Sequence, residues 1–286
     1  MGTGTWADRY FQSSDGLRLH YRDYAASTDR RPVLCLPGLT RNCRDFEAIA
    51  PRIQRTRRVL CADLRGRGLS QHDPNWQNYH PGTYVADVAT LLASAGIERV
   101  IVLGTSLGGL IAMIMAATTP QLLAGAILND VGPEIAPEGL ARISTYVGRS
   151  APVGSWPEAV AQVRATYGLA WPTATDEDWL VFARRGYREV DGVPRLDMDP
   201  MIGEAVRAAP AGAAPDLWPL FAALRPLPVL ALRGASSDVL SQATFDRMAR
   251  EKPDLARVTV PGRGHPPLLD EPESLAAIDE FLASCG

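Results

Sequence analysis

The run Gly104-Thr105-Ser106-Leu107-Gly108 sets a serine among the small residues that let a chain reverse sharply between a strand and a helix. Four aliphatics, Val100 to Leu103, precede it, and Leu110-Ile111-Ala112-Met113 continues it with helical character. Such a turn strains the central residue and leaves its hydroxyl clear at a helix N-terminus. The chemistry this permits is nucleophilic attack. There is no Gly-Lys-Ser/Thr ending, which excludes a P-loop. Arg65-Gly66-Arg67-Gly68-Leu69-Ser70 also follows an apolar run, but Gln71 stands where a dinucleotide fingerprint needs its third glycine.

A serine hydroxyl is inert at its own pKa and needs a neighbouring base. The chain has four histidines. His20 falls in an expected N-terminal hairpin, and His72 and His80 fall in a polar segment. His265 follows Val258-Thr259-Val260 in a glycine-containing loop, Pro261 to Pro266. Loops beyond the carboxyl ends of parallel strands are where such sheets present chemistry, so His265 is the expected base. Two aspartates could orient its ring. Asp130 ends the run Ala124 to Leu128 plus Asn129, and Asp238 lies beyond Val229 to Leu232 in Arg233-Gly234-Ala235-Ser236-Ser237-Asp238. The order Ser…acid…His suits both. Placement one strand before the histidine favours Asp238. A tetrahedral intermediate also needs preorganised N–H donors. Leu107, after the serine, and Leu39, in the turn Pro37-Gly38-Leu39-Thr40 after Val33 to Leu36, are the expected pair. No metal-ligand spacing such as His-x-x-x-His occurs, and neither a metal nor an organic cofactor is expected.

These residues must be held by a sheet. Val33-Leu34-Cys35-Leu36, Val59-Leu60-Cys61-Ala62, Val100 to Leu103 and Ala124 to Leu128 are short, continuous apolar runs, as expected of strands buried on both faces. Helical patterns separate them at Phe46 to Ile53 and Tyr84 to Ala95, with Gly96 closing the second. Tyr10 to Gln12 and Leu17 to Tyr21 flank the turn Ser14-Asp15-Gly16 and read as a hairpin. Alternation stops near Ile135. From there to Asp216 the sequence is helical and aromatic, with the helix start Ser155-Trp156-Pro157-Glu158 and another at Thr175. Alternation resumes from Leu217. The expected organisation is a core over 1–135 and 217–286 with a helical cap, 136–216, inserted.

The chain has 286 residues, is 46% hydrophobic and 21% charged, and carries a formal net charge of −3, which speaks for a globular domain and against a broad nucleic-acid footprint. The N-terminal residues lack the basic and apolar regions of a signal peptide, and the longest apolar stretch, Leu107 to Ala117, is too short for a bilayer, so a cytoplasmic protein without membrane partners is expected. Cys35, Cys43, Cys61 and Cys285 show no Cys-x-x-Cys spacing and read as small buried hydrophobes.

Taken together, the Pro37-Gly38-Leu39 loop, Asp63 to Ser70, the elbow at Ser106, the Asn129-Asp130-Val131-Gly132-Pro133 turn, the segment ending at Asp238, and Gly264-His265 resemble the α/β-hydrolase superfamily, in its cap-bearing, esterase-like branch. The resemblance implies an eight-stranded, mostly parallel sheet with helices on both faces and a cap inserted after the sixth strand. One departure is Pro37-Gly38 where many relatives carry His-Gly. Dehalogenases and epoxide hydrolases resemble this fold but use an aspartate nucleophile, so Ser106 disfavours those activities. What it implies instead is a serine hydrolase acting on a small or medium ester with an apolar part, through Ser106, His265 and Asp238. The alternatives are cleavage of a carbon–carbon bond or enol-lactone, favoured if Arg41 points into the pocket, and a binding protein of the same fold without turnover. Tyr146, Trp156, Tyr167, Trp171, Trp179, Phe182 and Tyr187 are the cap aromatics that could line an apolar pocket.

Overall fold

The computed structural model describes residues 5–208 and 216–286. Residues 1–4, and 209–215 of the expected cap, lie outside them. The described chain runs β1 (Ala7–Gln12), β2 (Arg18–Tyr24), β3 (Val33–Leu36), α1 (Ala50–Gln54), β4 (Val59–Ala62), α2 (Pro81–Ser94), β5 (Val100–Thr105), α3 (Leu107–Thr118) and β6 (Leu123–Asn129). After an insertion it resumes with α8 (Trp218–Ala222), β9 (Val229–Gly234), α9 (Gln242–Glu251), β10 (Ala256–Val260) and α10 (Pro272–Ser284).

Eight strands form one sheet in the order β1-β2-β4-β3-β5-β6-β9-β10. β1 and β2 are antiparallel, and every pair from β4 to β10 is parallel. The apolar runs are continuous because helices cover both faces: β3, β4, β5 and β9 are buried at every position. Leu34, Leu36, Val102 and Ala126 pack on one side with α2 and α3, and Val33, Cys35, Ile101 and Leu103 on the other with α1 and α10. All four cysteines are buried and free. Among the described residues no helix is long and apolar enough to cross a membrane.

Between β6 and α8 lies the insertion, called the cap below: α4 (Pro137–Tyr146), α5 (Trp156–Tyr167), α6 (Asp176–Gly186), β7 (Tyr187–Val190), β8 (Val193–Leu196) and α7 (Ile202–Arg207). Ser155 and Thr175 cap α5 and α6 as their sequences require, the latter through a full capping box with Asp178. The cap is not wholly helical. β7 and β8 pair antiparallel across Asp191-Gly192, both at positive φ (51° and 76°), the Asp-Gly pattern of a tight hairpin. Four-residue strands in which charged residues and Pro194 interrupt the apolar ones leave no apolar run to read, which is why sequence periodicity misses them.

Candidate active site

The four strands β5, β6, β9 and β10 end side by side, and their carboxyl ends hold Ser106, Asp130, the segment to Asp238 and the loop to His265. Ser106 adopts φ 51°, ψ −111°, a backbone region that side chains rarely enter. The glycines around it are forced. A Cβ on Gly104 would lie 2.3 Å from the Gly108 carbonyl, and one on Gly108 would lie 2.1 Å from the Leu36 carbonyl oxygen. Gly108→Ala therefore has to push α3 away from β3. It should destabilise the protein by at least about 1–3 kcal/mol, read as a lower Tm in a thermal melt, and an unchanged Tm would show that the packing can give.

His265 is 5% exposed. Its Nε2 lies 3.0 Å from Ser106 Oγ and its Nδ1 lies 2.8 Å from Asp130 Oδ2. An ionised carboxylate only accepts, so Nδ1 carries the proton and Nε2 accepts from the Ser106 hydroxyl. Asp130 is fully buried, with φ 56°, and is held by more than the ring. Gly234 N–H donates to Oδ1 at 2.9 Å, and the Ser237 hydroxyl donates to Oδ2 at 2.7 Å. Asn129, beside it, accepts the Ser106 N–H at its carbonyl, and its side-chain amide donates to Pro267 O, so one strand end braces both loops.

Asp238, expected to orient the ring, does not reach it as a hydrogen-bond partner. Its carboxylate is taken by the Arg142 guanidinium of α4, Nε at 2.5 Å and Nη2 at 2.9 Å. Burial alone would raise the Asp238 carboxyl; the Arg142 contact outweighs it and holds it below the ordinary carboxylate range. The acid beside His265 is Asp130. β6 lies next to β5, so its end is adjacent to Ser106, and the end of β9 and the loop after it contribute Gly234 and Ser237 as donors to that acid.

The expected oxyanion donors are also brought to Ser106. Leu107 is the first residue of α3, and Gly38 and Leu39 border the same pocket as Ser106. No acceptor within the described residues takes the N–H of Leu39 or Leu107. A Cβ on Gly38 would sit 3.9 Å from Ser106 Cβ, so the missing side chain leaves room next to the hydroxyl. Arg67, which sequence reasoning left unassigned, is fully buried beneath this loop: Nε donates to Leu39 O at 2.6 Å, Nη1 to Arg65 O at 2.7 Å and Nη2 to Tyr84 Oη at 3.2 Å. Its sequence signal is a second arginine inside a glycine turn where a surface residue would suffice. Arg67→Met should release the Leu39 carbonyl and lower kcat by about ten- to a hundredfold, because small misplacements of such groups cost that much. Steady-state kinetics beside a thermal melt separates this from unfolding, and an unaltered kcat would deny Arg67 that role.

The pocket in front of Ser106 is walled by the cap residues Ile143, Tyr146, Tyr167 and Phe182 and by Leu268 and Leu269. Only three of the cap aromatics border it. Trp171 and Trp179 pack edge-on at 5.3 Å between ring centres, Trp156 donates to Glu189 at 2.9 Å, and Tyr187 bonds Gln162, so these hold the cap together. The Tyr167 hydroxyl lies 3.2 Å from Thr40 Oγ1, joining the cap to the loop after β3. Arg41 also borders the pocket, but its guanidinium is paired with both oxygens of Asp45 and stacks 4.1 Å over Phe182.

Among the described residues one group could be considered for a metal: His20, Cys43 and Asp63, with ligand atoms within 4.8 Å. The carboxylate is already engaged by the imidazole and by backbone N–H groups. Asp63 accepts from His20 Nδ1 and Cys43 N–H at 2.7 Å each and from Leu69 N–H at 2.9 Å. The Asp63 carboxylate thus ties β2 to the chain at Cys43 and Leu69, and the cluster lies outside the Ser106 pocket.

Fold and site together define a hydrolase built on a mostly parallel α/β sheet. Residues 33–278 match the model of the alpha/beta hydrolase family, and the chain belongs to that family. It is 33% identical over 274 residues to the 3-hydroxybutyrate-oligomer hydrolase of Cupriavidus necator, covering 93% of this chain and 92% of that protein. It is 31% identical to the 2-(acetamidomethylene)succinate hydrolase of Mesorhizobium japonicum, over 87% of each. The crystal structure of an alpha/beta hydrolase from Novosphingobium aromaticivorans superposes with a TM-score of 0.92 at 47% identity, covering 99% of both chains.

Proposed function

We propose that this hydrolase cleaves a small to medium carboxylic ester through an acyl-enzyme on Ser106. The observation that carries the reading is the relay Ser106 Oγ–His265 Nε2 at 3.0 Å and His265 Nδ1–Asp130 Oδ2 at 2.8 Å, opening onto an apolar pocket. His265 takes the Ser106 proton as Oγ adds to the carbonyl carbon. The N–H groups of Leu39 and Leu107 meet the oxyanion. Asp130, buried and accepting three donors, keeps the imidazole in the tautomer that can accept and stabilises the imidazolium that forms. The imidazolium protonates the leaving alkoxide. Water, deprotonated by the same ring, then attacks the acyl carbonyl and returns Ser106 with release of the acid. Each step uses residues already in contact, and none requires a metal or organic cofactor.

The likeness to a 3-hydroxybutyrate-oligomer hydrolase supports esters of short hydroxy acids as the first class to assay. Carbon–carbon or enol-lactone cleavage is the alternative favoured if Arg41 points into the pocket; Arg41 does border it, but its guanidinium is paired with Asp45, which speaks against its binding a substrate carboxylate. Incubation with a fluorophosphonate, followed by mapping of the adduct, and hydrolysis of short p-nitrophenyl esters test the reading. Labelling at Ser106 with turnover is the expected result. Neither labelling nor turnover, with ligand-induced thermal stabilisation, would leave a binding protein instead.

A further inference from the structure

We infer that Arg185 forms a carboxylate-recognition site inside the pocket, and that the substrate is an ester bearing a free carboxylate; this rests on the serine-hydrolase reading above. Two guanidinium groups and one carboxylate border the pocket: Arg41, Arg185 and Asp45. Arg41 and Asp45 neutralise each other. Arg185 is left over. Its Nε is shut off from solvent and has no hydrogen-bond partner, and among the described residues its guanidinium has no carboxylate partner. Asp270, whose carboxyl feels the Arg185 charge, pairs instead with Arg263 at 3.8 Å. Arg185 is partly buried, a guanidinium N–H shut away without a partner is costly, and an anion entering the pocket would relieve that cost. The planar guanidinium fork matches a carboxylate, and the remaining walls are mostly apolar, which suits a short aliphatic chain between ester and acid.

The position of Arg185 is fixed relative to the reacting centre. It lies in the last turn of α6, and its carbonyl accepts from Asn42 Nδ2 at 2.9 Å and Arg44 Nε at 3.0 Å. Both donors come just after the oxyanion loop, so the cap residue and the oxyanion donors share one frame. A substrate carboxylate on Arg185 would therefore set the distance from charge to scissile carbonyl, and with it the chain length accepted.

The test compares matched esters. Monomethyl glutarate is set against methyl pentanoate, and 3-acetoxybutanoate against its methyl ester, with acid or acetate release followed in wild type, Arg185→Gln and Arg185→Lys. In at least one pair, wild type should prefer the carboxylate ester by tenfold or more in kcat/KM. Arg185→Gln should lose about ten- to a hundredfold more on that ester than on its neutral partner, as for a lost hydrogen bond to a charged group. Arg185→Lys should recover part of the difference. No preference in either wild-type pair, or equal losses on both members in Arg185→Gln, overturns the proposal. Calorimetric titration of Ser106→Ala with glutarate keeps it separate from the catalytic reading. Tenfold weaker binding after adding Arg185→Gln supports the site even if no ester turns over, and binding unchanged by Arg185→Gln refutes it.

Discussion

Ser106→Ala is expected to lower kcat by about a millionfold on any ester the protein turns over, since loss of the nucleophile has that scale in serine hydrolases. The fold should survive. Ser106 sits in a strained backbone region that alanine occupies no worse, its N–H still bonds Asn129 O at 3.0 Å, and the neighbouring glycines still admit β3 and α3. What vanishes is the oxygen 3.0 Å from His265 Nε2. Residual catalysis should come only from the Leu39 and Leu107 N–H groups and from holding the ester in place. A thermal melt, active-site titration and kinetics on the same preparation check this. Activity within a hundredfold of wild type would remove Ser106 from the reaction.

Asp130→Asn should cost about ten-thousandfold in kcat, because the amide presents a donor to Nδ1 and turns the imidazole into the tautomer that cannot accept from serine. The substituted side chain can still accept the Gly234 N–H at Oδ1, so folding should be largely retained. Asp238→Asn makes the decisive contrast. That carboxylate is engaged by Arg142, not by His265, and its neutralisation should change kcat by less than about tenfold, through the cap contact alone, as an exposed to half-buried ion pair is worth little. If the two variants exchanged effects, the acid would be Asp238 after all. Parallel kcat and Tm measurements decide it.

The sheet, its strand sites, the elbow at Ser106, the loop that carries His265 and the turn at Gly38-Leu39 are legible in the sequence because backbone geometry forces them. Gly104 and Gly108 are demanded because a Cβ at either would collide with main-chain atoms, and such demands leave a pattern. The choice between Asp130 and Asp238 is not of that kind. Both follow strands, both are aspartates, and chain order admits both. What separates them is that β6 is the neighbour of β5, and that an arginine 96 positions before Asp238 in the chain lies against it. Neither fact is local. The pocket aromatics show the same limit: Tyr146, Tyr167 and Phe182 differ from Trp171 and Trp179 only in the face of their helix that the folded cap turns toward Ser106.

The Arg142–Asp238 pair has a consequence for how the molecule can change. With Asp130 as the proposed orienting carboxylate at the end of β6, Asp238 is left to moor α4 through Arg142, while Ser237 of the same loop holds Asp130. On that proposal, substitutions at Arg142 or Asp238 should shift how α4 sits over the pocket while the contacts from Asp130 through His265 to Ser106 stay as they are.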